Sequence, residues 1–147
     1  MLQAQVLGSM IEHGVRALVI SPTYGEAEKN FDPLRRAGLP VMQVLRKGDA
    51  RVDLFPFTAY DDRWRGEIAA QHLFDCGAQH IAFVGGQDGS AVTQDRMAGY
   101  LAAVQARGLA PLALQGRPAA VDLARNPPQV DAAICFNDLV ALGCCRA

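Results

Sequence analysis

The chain has 147 residues, 50% of them apolar and 20% charged, and its 14 basic and 15 acidic side chains leave a net charge of -1. That balance predicts no basic stripe for nucleic acid on these residues, and the length is enough to bury a globular core. No apolar run approaches the roughly 20 residues that span a bilayer. The opening MLQAQVLGSMIEHG lacks a basic n-region and places Glu12 and His13 where an export signal is apolar, so the reading is cytoplasmic.

Val6, Leu7, Met10 and Ile11 recur at helical spacing, and Gly14 follows as a helix stop. VRALVIS (15–21) is a nearly continuous apolar run, the pattern of a buried strand. YGEAEKNFDPLRRA (24–37) predicts a helix that must start or break at Pro33, with Gly38 ending it. PVMQVL (40–45) is the next strand, and RKGDARVD is a polar loop. LFPFTAY (54–60) is a third extended segment, which Pro56 assigns to a sheet edge or an irregular strand.

DDRWRGEIAAQHLFDCG (61–77) predicts a helix N-capped by Asp61 or Asp62, where negative charge meets the positive end of the dipole. Trp64, Ile68, Ala69 and Leu73 form its expected buried stripe, and Gly77 closes it. HIAFVGG (80–86) is a strong strand, and 93–108 is a helix with Met97, Tyr100, Leu101 and Val104 on one face. PLALQ is a short strand, and GRPAAVDLARNPPQ is too proline-rich for a long helix. DAAICF (131–136) is the last strand. NDLVALGCCRA then opens a helix capped by Asn137 or Asp138.

Apolar strands separated by helices predict an α/β fold with parallel sheets covered by helices on both faces. Ligands of such sheets sit beyond the carboxyl ends of the strands. Those ends carry Ser21-Pro22-Thr23, Arg46, Asp61-Asp62, Gly85 to Gly89, and Asn137-Asp138. GGQDGSAV is neither the GxGxxG of a dinucleotide site nor the GxxxxGK of a phosphate loop. It lacks the lysine, and Asp88 would repel a phosphate.

Arg96 is the more informative residue there, expected in the first turn of its helix at the sheet's carboxyl edge. A guanidinium presents five donors in a planar fork, suited to carboxylates or vicinal hydroxyls. Of Asp61 and Asp62, one caps and the other can accept hydrogen bonds from a sugar or base. Asn137 and Asp138 divide the same two tasks on their helix.

Cys76, Cys135, Cys144 and Cys145 form no CxxC, and no HExxH occurs, so the thiols read as small buried hydrophobes with no metal or other cofactor. His13, His72 and His80 have no serine or cysteine nucleophile in context, which argues against an enzyme.

GVRALVISP, GLPVMQV, YDDRWRGEIAAQHLFDCGAQHIAFVGG, RMAGYLAAV and FNDLVALG, in this order, resemble the effector-sensing core of the LacI-type (lactose-repressor/purine-repressor) family of bacterial transcription regulators. The family pattern is an Asp-Asn pair, an Ala-rich helix, His-Leu, Gly, a strand ending near Gly-Gly, then Arg-x-x-Gly-aromatic. The resemblance implies a periplasmic-binding-protein-like fold of two α/β lobes with an effector between them, here incomplete. Residues 1–60 would be part of the N-terminal lobe and 61–147 part of the C-terminal lobe.

By matching position, Asp61 falls on the family's effector-contacting Asp, Arg96 on its effector-contacting Arg, and Asn137 on the cleft Asn of the Asn-Asp pair that Asp138 completes. Asp62 stands where Asn is usual, and Arg46 loosely matches a cleft pair. The resemblance further implies a sugar or similar small polar effector, a homodimer, and operator DNA bound through a helix-turn-helix headpiece that is absent from this chain. A periplasmic solute-binding protein for a sugar is the alternative with the same fold. The free cysteines and the HL…G…IAFVGG pattern favour the regulator. A nucleotide-dependent enzyme on a Rossmann-like sheet is the third class, disfavoured by the glycine spacing and the missing nucleophile.

Overall fold

Helix and strand alternate along the chain in the order the apolar runs predict. The structure is a computed structural model and describes residues 2–22, 27–46, 55–86, 90–115 and 130–145. The elements are α1 (Leu2–Glu12), β1 (Leu18–Ile20), α2 (Ala27–Arg36), β2 (Val41–Leu45), β3 (Phe57–Ala59), α3 (Asp62–Asp75), β4 (Ile81–Gly85), α4 (Ala91–Ala106), β5 (Leu112–Gln115), β6 (Ala132–Cys135) and α5 (Asp138–Cys145). They fall into two compact units, Met1–Tyr60 and Asp61–Ala147. Each holds a three-stranded parallel sheet, ordered β1-β2-β3 in the first and β5-β4-β6 in the second.

In the first unit, Leu7 of α1 and Phe31 and Leu34 of α2 pack on Leu18, Ile20 and Val41. Pro33 lies inside α2, not at its start. It forfeits one backbone donor, but Phe31 and Leu34, 1% and 0% exposed, anchor the helix on either side of it. The apolar run 15–21 predicted burial throughout, yet Val19 is 70% exposed between the buried Leu18 and Ile20. A strand's side chains alternate faces, and the helices of this unit gather on the face that holds Leu18 and Ile20. Gln43 is buried in the middle strand, where its Nε2 donates to the Phe55 carbonyl at 2.9 Å. Pro56 precedes β3, an edge strand, as its missing N–H requires.

In the second unit, β4 is central and buried at every residue. Ile81 and Phe83 face α3 and α4, packing with Ala70, Phe74, Tyr100 and Val104. Ala82 and Val84 face the other way, against Leu112, Leu114, Val140 and Cys144. Tyr100 is fully buried, and its ring stacks on Phe83 with centroids 5.6 Å apart. Its hydroxyl donates to the Ile81 carbonyl at 2.8 Å and accepts from the Leu112 N–H at 2.9 Å, tying β4 to β5. Burial pushes this phenol's pKa up, against the opposing pull of the Leu112 hydrogen bond. Asp131 clamps β6 to the start of β4 by accepting from the Gln79 and His80 N–H groups at 2.7 and 2.9 Å.

The burial of α3 differs from its apolar pattern. The buried residues are Asp62, Gly66, Ala70 and Phe74, one turn apart, while Trp64 and Ile68 are 59% and 42% exposed. The cause is close packing. A Cβ on Gly66 would overlap the Arg96 carbonyl, and one on Gly99 would overlap the Arg63 carbonyl. Small residues thus occupy the contact face, and the two backbones meet. Trp64 and Ile68 instead line a solvent-facing groove with Ala102, Ala103 and Ala106.

Candidate functional site

Helices α4 and α5 begin where β4 and β6 end, so both N-termini stand at the carboxyl edge of the second sheet. Each is capped by its own chain. Ser90 Oγ accepts from the Thr93 N–H at 3.2 Å, and Asn137 Oδ1 accepts from the Val140 N–H at 3.0 Å. The close packing of Gly66 on the Arg96 backbone and of Gly99 on the Arg63 backbone brings the start of α3 to the same place. There Asp61 is the N-cap, with Oδ1 accepting from the Trp64 N–H at 2.9 Å. Caps of this kind satisfy amide donors that no helical carbonyl reaches.

Arg96 joins these three helix starts. Its Nε donates to Asp62 Oδ1 at 2.8 Å and its Nη1 to the Phe136 carbonyl at 2.7 Å. The guanidinium carbon lies 5.2 Å from the centre of the Phe136 ring, within cation–π range. Because α4 begins at Ala91, Arg96 sits in its second turn and not in the first. The side chains of Asp62 and Arg96 are 7% and 25% exposed, so the ion pair is largely shielded from water. Arg65 adds a second cation, with Nη1 3.7 Å from the same Asp62 oxygen. A carboxylate this buried needs such partners.

Of the two carboxylates, Asp61 takes the cap, and Asp62, expected to accept from a ligand, is ion-paired with Arg96. Asn137 takes the cap of α5, directly after the Phe136 carbonyl that Arg96 holds. Asp138 is the first residue of α5 and exposed, and among the described residues no hydrogen bond or ion pair joins it to Arg96. Arg46 belongs to the first unit, half-buried after Leu45, whose φ of 67° is the left-handed conformation. Thr23 and Gln87 to Gly89, including Asp88, lie outside the described residues, as does the proline-rich stretch 116–129.

The sequence does not single out Phe136 as a site residue, and Gly86 is only one of the glycines at the strand end. Phe136 supplies both a carbonyl and a ring to Arg96. Gly86 makes room for it, since a Cβ there would run into the Phe136 ring. The glycines after β4 thus serve packing. Gly85 is likewise hemmed in, its Cβ position 3.1 Å from Thr93 Cγ2 and 3.3 Å from the Leu114 carbonyl oxygen.

The cysteines divide. Cys135 and Cys144 are half-buried with sulfurs 3.8 Å apart, whereas Cys76 and Cys145 are exposed and depart from the expected burial. Burial, reinforced by the neighbouring Cys144, pushes the Cys135 thiol up to about 12. Among the described residues no group of three or more His, Cys, Asp or Glu could hold a metal ion. No described helix is long and apolar enough to cross a membrane.

Parallel sheets flanked by helices define a periplasmic-binding-protein-like α/β fold, of which this chain holds part. Residues 2–147 match the family of periplasmic binding proteins and sugar binding domains of the LacI family, and the chain belongs to it. The maltose regulon regulatory protein MalI of Escherichia coli K12 is 25% identical over 150 residues, covering 95% of this chain and 43% of that protein. A putative ribose operon repressor from Burkholderia thailandensis superposes with a TM-score of 0.83 at 22% identity, over 97% of this chain and 55% of that one. An ABC transporter solute-binding protein from Burkholderia multivorans gives a TM-score of 0.84 at 23% identity, over 97% and 56%. The chain spans about half the length of these relatives.

Proposed function

We propose that this chain is the effector-binding core of a LacI-type transcriptional regulator, and that its effector is a sugar or a similar small polar metabolite. The observation that carries the reading is the Arg96 constellation at the carboxyl edge of the second sheet, where Asp62 and Phe136 fix the guanidinium. Arg96 Nη2 takes no part in those two bonds and can donate to hydroxyls. Asp62 Oδ2, Asp61 and Asp138 can accept, and the Asn137 amide nitrogen can donate. Alternating donors and acceptors on rigid elements suit a polyol. The same set binds without catalysing, since it pairs no nucleophile with a base.

In the intact homodimer, effector binds one lobe arrangement more tightly than the other. It thereby changes operator affinity through a headpiece outside this chain. Exposed Val6 and Met10 on α1, and Leu139 and Leu142 on α5, are compatible with contacts to a second subunit. A cytoplasmic location agrees with the exposed free thiols of Cys76 and Cys145. The test is a thermal-shift screen of sugars on the intact protein, followed by operator binding with and without the strongest hit. The reading requires a sugar that both stabilises the fold and changes operator affinity. A sugar that stabilises the protein without any operator response favours the solute-binding alternative, which the Burkholderia multivorans likeness supports.

A further inference from the structure

Resting on that reading, we infer that the effector is uncharged where it meets Arg96, and that Asp62 is the residue that sets this selectivity. Phosphate and carboxylate groups are held in proteins by a few devices: an arginine fork, or the free N–H groups of a helix N-terminus. Both devices are present at this edge, and protein oxygens already take part of each. Arg96 has committed Nε to Asp62 Oδ1 at 2.8 Å and Nη1 to the Phe136 carbonyl at 2.7 Å. The side-on fork, which makes two parallel bonds to an oxyanion, is therefore closed. Each of the three helix starts has a first-turn amide taken by its own cap, Trp64 N–H by Asp61, Thr93 N–H by Ser90 and Val140 N–H by Asn137.

Charge leads to the same result. Asp62 is 7% exposed and draws on two guanidiniums, with Oδ1 2.8 Å from Arg96 Nε and 3.7 Å from Arg65 Nη1. An anion placed on the remaining Arg96 donors meets a guanidinium already paired with the Asp62 carboxylate, whose repulsion offsets part of the attraction. Asp61 and Asp138 add two exposed carboxylates at the same helix starts. Hydroxyl groups escape this conflict. They donate to Asp62 Oδ2 and accept from Arg96 Nη2 without adding charge. An arginine alone at this position would favour a phosphorylated sugar; the arginine–aspartate unit favours the free sugar.

The experiment pairs D-ribose, D-glucose and maltose with ribose 5-phosphate, glucose 6-phosphate and inorganic phosphate, using thermal shift and calorimetry on the intact protein. The wild type is expected to bind a neutral sugar at least about tenfold more tightly than its phosphate ester. Asp62→Asn, which keeps the shape and removes the charge, is expected to raise phosphate-ester affinity about tenfold and lower neutral-sugar affinity. A wild type that prefers the phosphorylated member overturns the inference and leaves the proposed function standing. So does a folded Asp62→Asn protein with an unchanged ratio of the two affinities. If no compound of either class stabilises the wild type, the sugar-binding reading itself falls. Should Asp62→Asn fail to fold by circular dichroism, the wild-type preference decides alone.

Discussion

Gly66 on α3 lies against the backbone carbonyl of Arg96 on α4, so close that a Cβ on Gly66 would overlap that oxygen. Gly99 meets the Arg63 carbonyl in the same way from the other helix. This reciprocal contact sets the first turn of α3 beside Arg96 and makes the 2.8 Å bond to Asp62 possible. The site is thus built by two residues that have no side chain.

Gly66→Ala and Gly99→Ala are each expected to cost about 3 kcal/mol of stability, because the obstacle is backbone and cannot rotate away. Urea denaturation measures this. A loss below about 1 kcal/mol in both would mean that the helices separate at little cost and do not hold the site by close contact.

Tyr100→Phe removes the hydroxyl that bridges Ile81 and Leu112 and leaves buried backbone groups without that partner. The expected destabilisation is about 1–3 kcal/mol, read by the same denaturation. A neutral outcome would indicate that water or strand pairing satisfies those groups.

Asp131 is expected to contribute to the acid limb of stability. Its two backbone hydrogen bonds, from Gln79 and then His80, hold its pKa below the ordinary carboxylate value. A depressed folded-state pKa contributes stability that is present above the unfolded value, about 3.9. That contribution is lost as pH falls through the folded value. Asp131→Asn should therefore flatten the dependence of stability on pH below about 4 while leaving its form near neutrality unchanged. An unaltered acid limb would assign it to other carboxylates.

The thiols should react in two classes. Cys76 and Cys145 are exposed, while the Cys135 thiol, pushed up to about 12, stays protonated at neutral pH. Since the thiolate is the nucleophile, a maleimide at pH 7 is expected to label Cys76 and Cys145 first and Cys135 only after unfolding. Mass spectrometry of tryptic peptides reads the order. Early labelling of Cys135 would show that β6 and α5 open readily.

The alternation of strands and helices was legible because the apolar runs at 40–45, 80–86 and 131–136 have the length and continuity of parallel strands. Gly14, Gly38 and Gly77 marked helix stops, and all three have positive φ. The buried face of α3 was not legible. Apolar character pointed to Trp64 and Ile68, but close packing buried Gly66 and Ala70, whose small size carries no hydrophobic signal. Arg96 could be placed at a carboxyl edge from its position after β4. Its partners could not, since Asp62 and Phe136 lie 34 and 40 residues away and meet it only through the helix crossing and the β4–β6 pairing. Which of Asp61 and Asp62 caps was likewise settled by geometry, because either carboxylate suits a helix start.

The central claim is that Arg96 contacts the effector. Calorimetry of the intact protein with the neutral sugar that gives the largest thermal shift tests it, comparing wild type with Arg96→Ala, each checked for folding by circular dichroism. Loss of a charge-assisted hydrogen bond is expected to weaken binding by about tenfold or more. A folded Arg96→Ala protein that binds the sugar with wild-type affinity would contradict the account and move the site elsewhere.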